Sequence, residues 1–185
     1  MTGPSGAGKG TLIALVLPRF PLLRPAVSAT TRPQRPGEVN GQDYWFLDDE
    51  EFTRRVGEGD FLEWVEYVGN RYGTLLSEIE RIRDDGCAPL LELETEGALS
   101  VKEQVPGAVT IFVTAPVDEL ERRLHERATE STGTIERRLE LARQQLEQAD
   151  RFDYVVQNDD RERAAAHLTE IVERELNGAA TMSRS

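Results

Sequence analysis

Along the 185-residue chain, apolar positions switch repeatedly between a period near 3.6 and short alternating or continuous runs. Leu12, Ile13, Val16 and Leu17 predict a helix stopped by Pro18. A proline-spaced linker (Pro18, Pro21, Pro25) then leads to a short apolar piece at 26–29. Residues 47–56 predict an acidic helix with Phe52 and Val56 on one face. Residues 61–68 alternate and predict a strand, with 69–74 as the turn behind it. Leu75, Leu76, Ile79 and Ile82 mark a helix ending near Asp85-Gly86, and 88–94 a short apolar strand. The apolar run 109–114 predicts a strand buried on both faces of a parallel sheet. Pro116 opens a helix with Val117, Leu120 and Leu124 inward, and Ile135, Leu139, Ala142, Leu146 and Ala149 stripe another. Residues 154–156 predict a last strand, and Ala164, Leu168, Ile171, Val172 and Leu176 a last helix. Strands alternating with helices predict a doubly wound α/β sheet, with ligands outside the carboxyl ends of its strands.

Composition narrows the chemistry. A net charge of −12 is the wrong sign for a nucleic-acid partner, though a few placed arginines still suffice for small phosphorylated ligands. No apolar run approaches the ~20 residues of a membrane span, so no membrane partner is expected. The single cysteine, Cys87, excludes an internal disulfide or a thiolate zinc cluster and suits a reducing cytoplasm. His125 and His167 lie far apart on helical stretches and read as surface residues, so any metal is expected to arrive with a substrate.

The segment Gly3-Pro4-Ser5-Gly6-Ala7-Gly8-Lys9-Gly10-Thr11 stands just ahead of the first helical pattern. Glycines let the backbone take positive φ and approach a ligand closely. A loop that ends at a helix start points N–H groups inward, where the helix dipole also favours an anion. The segment therefore reads as a phosphate cradle, with Lys9 reaching the outer phosphates of a nucleoside triphosphate. Two features are irregular. Gly10 stands where the motif usually has its Mg²⁺-holding hydroxyl, with Thr11 one residue later. Only Met1 and Thr2 precede the loop, so the strand that normally feeds such a cradle is expected in an upstream segment.

The stretch 28–46 carries a second signal. Pro33 and Pro36 exclude a helix, Asn40-Gly41 predicts a tight turn, and Tyr44-Trp45-Phe46 a β-prone return. Arg32 and Arg35, three apart on a rigid loop, can clamp one phosphate bidentately; the plain alternative is a solvated loop with incidental charge. Glu63 is a lone carboxylate among Phe61, Trp64 and Val65, which costs free energy unless something donates to it.

Together these motifs resemble the guanylate kinase family, from about Thr2 to Leu176. The resemblance rests on the phosphate loop; Ser28 with Thr30-Thr31-Arg32 and Arg35-Pro36-Gly37-Glu38-Val39-Asn40-Gly41; Asp43-Tyr44; Phe61-Leu62-Glu63-Trp64; and Tyr72-Gly73-Thr74. It continues through Arg127 with Thr129-Glu130, Ile135 with Arg138-Leu139, and Asn158-Asp159-Asp160. It implies a three-layer α/β P-loop kinase with a central parallel sheet, an inserted GMP-binding subdomain and a short lid. The implied core is 1–27, 81–123 and 146–177, the GMP-binding part 28–80 and the lid 124–145, with 178–185 a disordered tail. The implied reaction is phosphorylation of GMP and dGMP by ATP with Mg²⁺ as cofactor, in purine nucleotide metabolism.

The resemblance also implies roles for single residues. Lys9, Arg127 and Arg138 would be catalytic, the two arginines swinging over the triphosphate. Gly3 to Thr11, with Asn158, would hold ATP, and Thr11 would meet Mg²⁺ through water. Arg32, Arg35, Tyr44 and Tyr72 would hold the GMP phosphate, and Ser28, Glu63, Thr74 and Glu94 would read guanine. The other helix arginines, Arg123 and Arg137 among them, read as ordinary surface salt partners. Glu92 and Glu94 stand where the family usually has aspartates, and Ala128 replaces a glycine after Arg127. Two other readings are a silent guanylate-kinase-like binding module and a P-loop kinase for another small phosphorylated acceptor. The silent module predicts a degraded loop and lid, yet Lys9, Arg127 and Arg138 are all present.

Overall fold

The computed structural model describes residues 1–126 and 132–182. In chain order it runs through α1 (Lys9–Val16), β1 (Leu23–Pro25), β2 (Ala29–Thr30), β3 (Trp45–Phe46), α2 (Asp49–Glu58), β4 (Phe61–Tyr67), β5 (Asn70–Leu75) and α3 (Leu76–Asp84). It continues with β6 (Ala88–Leu90), α4 (Thr95–Gln104), β7 (Ile111–Thr114), α5 (Val117–Glu126), α6 (Thr132–Leu146), β8 (Tyr154–Gln157) and α7 (Arg161–Met182). Two compact units result: Met1–Arg19 with Gly107–Ser185, and Phe20–Pro106.

In the first unit, β7 and β8 pair in parallel from Ile111 opposite Tyr154 to Thr114 opposite Gln157. Thr2 adds a parallel bridge on β7, donating its N–H to Ile111 O (2.9 Å) and accepting from Val113 N (2.8 Å). Ile111, Phe112 and Val113 are all buried, and Phe112 packs on Phe152 with ring centroids 5.1 Å apart. The expected strand at 109–114 thus starts two residues late, because Thr110 is tied elsewhere. Its N–H and hydroxyl both donate to Asp153 Oδ2, at 2.8 and 2.6 Å. The apolar stripe of α7 covers β8 and α1, and Leu124 of α5 meets Leu139 of α6. Helix α7 continues to Met182, through the start of the stretch 178–185 that was expected as a tail.

In the second unit, β1 and β6 form a parallel pair, and β3-β2-β5-β4 form a mixed sheet. Strands β4 and β5 are an antiparallel hairpin, with Glu63 opposite Thr74 and Val65 opposite Tyr72. The turn expected over 69–74 is mostly strand instead. Residues 70–75 are a strand, and the turn is confined to Val68 and Gly69, both at positive φ (49° and 75°). A two-residue turn with both central residues left-handed matches the twist of a hairpin, so the β-prone Tyr72 and Thr74 can pair back. Asp48 caps α2 by accepting from Glu51 N at 2.8 Å. That helix drives Phe52 into the sheet, fully buried and stacked on Phe61 at 4.5 Å. The Arg71 guanidinium covers the Phe52 ring at 4.7 Å while donating to Thr53 Oγ1 and to Asp49. Phe52→Ala should cost about 3–5 kcal/mol of unfolding free energy in urea titration, with little change in slope.

Candidate active site

The phosphate loop of the first unit is held open by contacts that need glycine at two positions. Gly3 has φ 140°, and a Cβ there would sit on the carbonyl of Val113. Gly8 precedes α1 in the left-handed region (φ 84°), and a Cβ there would lie 2.5 Å from Asn158 Nδ2. Asn158, buried at the end of β8, donates from Nδ2 to Ala7 O at 2.6 Å and from its main chain to Thr114 O at 2.7 Å. The loop is therefore anchored to the ends of β7 and β8 rather than hanging free. Lys9 folds over it, donating to Gly3 O at 2.7 Å and more weakly to Pro4 O at 3.4 Å. An ammonium resting on two carbonyls is well placed to exchange them for phosphate oxygens. Thr11 lies exposed on the first turn of α1.

Arg123 is the residue the sequence reading underrated. It does pair with Glu119 (2.8 Å), one turn before it on α5. It also donates to Gly6 O at 3.3 Å and Asn158 O at 3.1 Å, bridging the loop to the segment after β8. Its helical neighbourhood holds several arginines and gave no signal to single it out. Arg138 lies half-buried on α6, next to the packed Leu139. Arg127 and Ala128 lie outside the described residues.

The second unit gathers two further groups. At one, the Arg32 guanidinium stands 5.3 Å from the Tyr44 ring centroid and 5.6 Å from that of Phe46, and Tyr44 meets Tyr72 edge-on at 6.1 Å. Arg32 NH2 donates to Glu38 Oε1 at 2.7 Å, and the other Glu38 oxygen accepts from Arg35 N at 2.8 Å. One carboxylate thus organises both arginine positions, and they hold it below the ordinary carboxylate range. Glu38 lies within the 35–41 motif, but nothing in the sequence marks it for this task. Burial, and then the nearby Tyr72 and Glu92, push the Tyr44 hydroxyl above its usual pKa, so it stays a proton donor.

At the other group, Glu63 and Thr74 face each other across the hairpin, both buried. Thr74 Oγ1 donates to Glu63 Oε1 at 2.8 Å. Burial raises the pKa of Glu63, Glu94 raises it further, and the bonds from Thr74 partly offset this. A carboxylate offers about four acceptor positions, so the two bonds from Thr74 leave room for further donors. Glu94 is half-buried just before α4, Glu92 is exposed, and Ser28 is half-buried, its carbonyl accepting from Trp45 N at 2.9 Å.

A glycine cradle opening a helix, with its lysine over the loop and parallel strands behind it, defines a P-loop α/β kinase. The family model described as guanylate kinase matches residues 1–175. A guanylate kinase of Rubrobacter xylanophilus is 50% identical over 179 residues, covering 96% of this chain and 94% of its own length. One from Synechocystis is 46% identical over 176 residues, covering 95% and 92%. The crystal structure of guanylate kinase from Anaplasma phagocytophilum superposes with a TM-score of 0.74 at 31% identity, covering 94% of this chain and 82% of that one. The chain belongs to the guanylate kinase family.

A raised carboxylate pKa means that the folded state binds the Glu63 proton more tightly than the unfolded chain does. Its effect on stability is therefore absent at low pH, and a penalty grows as pH rises from about 4.5 to the folded pKa. Glu63→Gln should flatten that part of the profile and leave the variant the more stable at neutral pH. Thermal midpoints of both proteins across pH 4–8 check this.

Proposed function

We propose that this chain transfers the terminal phosphoryl group of ATP to GMP or dGMP, with ATP on the loop of the first unit and the monophosphate on the second. The observation that carries the acceptor assignment is the buried, Thr74-oriented carboxylate of Glu63. Guanine presents an N1–H and an N2 amino group side by side, and one carboxylate accepts from both. Adenine offers an unprotonated N1 there, which leaves Glu63 buried without its donors. Sites built on such pairing discriminate by factors of about 10⁴ or more. Ser28 and Glu94 complete the guanine side in this reading.

Arg32, Arg35, Tyr44 and Tyr72 would take the phosphate of GMP. The Glu38 bridge supports this, because it holds Arg32 and the Arg35 backbone in one arrangement before a dianion arrives. Little covalent work falls to the protein in phosphoryl transfer, so charge neutralisation and in-line positioning carry the rate. Lys9 and the loop N–H groups of residues 3–11 would neutralise the donor, and Asn158 with Arg123 would keep that loop in shape. Arg138 and Arg127 are assigned to the transferring phosphoryl by the resemblance of their motifs.

Magnesium would enter with ATP. Among the described residues no cluster of acidic, histidine or cysteine side chains is built to hold a metal, whereas the exposed Thr11 hydroxyl is a hard oxygen donor beside the loop. A substrate-borne ion that keeps several waters fits that donor set. When bound, it would neutralise phosphate charge. A cytoplasmic setting, supported by the lone cysteine, and a part in purine nucleotide recycling belong to the same reading. Among the described residues no helix is long and apolar enough to cross a membrane.

An acceptor panel of GMP, dGMP, AMP, UMP and CMP with Mg-ATP, followed by ADP release, tests the assignment. GMP and dGMP should be turned over and the others should trail far behind; no ADP release with GMP would sink it. Glu63→Gln, which loses one charge-assisted bond and turns an amide donor toward guanine, should lower kcat/KM for GMP by about 10- to 100-fold.

A further inference from the structure

Gly97 sits in the first turn of α4, inside a helix and without a left-handed φ. Its backbone conformation therefore asks for no glycine, and glycine is a poor helix former in that setting. The side-chain space above it gives the reason. A Cβ at Gly97 would overlap Glu63 Oε2 and lie 3.2 Å from Glu63 Cδ and 3.6 Å from Val65 Cγ1. Glu63 has little freedom to retreat, because Oε1 is held by Thr74 at 2.8 Å and both residues are buried in the β4–β5 hairpin. The helix has little freedom either. Ala98, Leu99 and Val101, next along it, are buried and fix how α4 lies on β4.

We infer that Gly97 is a specificity-positioning residue: its bare Cα makes the space in which the Glu63 carboxylate stands, and so sets the angle at which that carboxylate meets a guanine edge. The inference rests on the reading of Glu63 given above. It also gives the carboxylate a favourable neighbour, since Oε2 lies at the N-terminal turn of α4, where the helix dipole favours negative charge. An alanine at position 97 would improve the helix while pushing the carboxylate out of place. Helix propensity and acceptor recognition are thus expected to move in opposite directions.

The test uses the full chain, with Gly97→Ala, Glu63→Ala and the double variant. In Gly97→Ala the KM for GMP should rise about tenfold or more while the KM for ATP stays within about twofold, as for a misdirected charge-assisted bond. The preference for GMP over IMP, which lacks the 2-amino group, should shrink in parallel. In the Glu63→Ala background, adding Gly97→Ala should change kcat/KM for GMP by less than about twofold, because the carboxylate it would displace is gone. An unchanged KM for GMP and an unchanged GMP preference would overturn the inference. So would equal losses in both backgrounds and for ATP, which mark a merely structural role. Should Gly97→Ala fail to fold, a folded double variant supports the steric claim and an unfolded one overturns it. Thermal midpoints over the same cycle read the Gly97–Glu63 coupling without substrate. If the guanine reading alone is wrong, that coupling survives while wild type shows no GMP preference; if the Gly97 inference alone is wrong, wild type prefers GMP and the coupling is absent.

Discussion

A carboxylate buried with no cation beside it among the described residues is the constraint around which the second unit is built. Glu63 carries desolvation that the side-chain and main-chain bonds from Thr74 do not fully offset, and its raised pKa reflects that deficit. Two features close to it accommodate this group: the hairpin register sets Glu63 opposite Thr74, and a glycine stands in the turn of α4 facing it. The same deficit suits a binding site. A ligand that brings two adjacent N–H donors relieves it, and a ligand that brings a lone pair does not.

The arginine loop solves the opposite problem, that of holding positive charge ready without scattering it. Arg32 lies against two aromatic rings and a carboxylate that also accepts from Arg35 N, so its position is fixed by the protein itself. The glycine loop is fixed in the same way. Lys9 rests on loop carbonyls, while Asn158 and Arg123 bond the loop from the side of β8 and α5. In both units the polar groups are arranged in advance, which reduces the ordering that binding must pay for.

Much of this was legible from residues alone. The α1 helix, the hairpin strand β4, the buried β7 and the helix opened by Pro116 follow from apolar period and proline position. The glycine loop and the pair Arg32 and Arg35 were visible because both are short-range patterns. The β5 strand was not, since Gly69, Asn70 and Gly73 read as turn residues until Val68 takes the left-handed conformation that closes the hairpin. The late start of β7 was equally hidden, because the Asp153 that ties up Thr110 lies far along the chain.

The sequence by itself determined the short motifs: a glycine loop with its lysine, two arginines three apart and an apolar strand carrying the carboxylate of Glu63. These are local patterns, fixed by spacings of a few residues. Only the tertiary structure decided which groups hold them in place. Arg123 on the loop, Glu38 under Arg32 and Gly97 beneath Glu63 are indistinguishable in sequence from a surface salt partner, a loop acid and a helix glycine. Their roles come from close approach across strands, helices and loops. Such contacts depend on register and helix placement, which the packing of Phe52, Phe112 and their neighbours sets and no short-range pattern encodes.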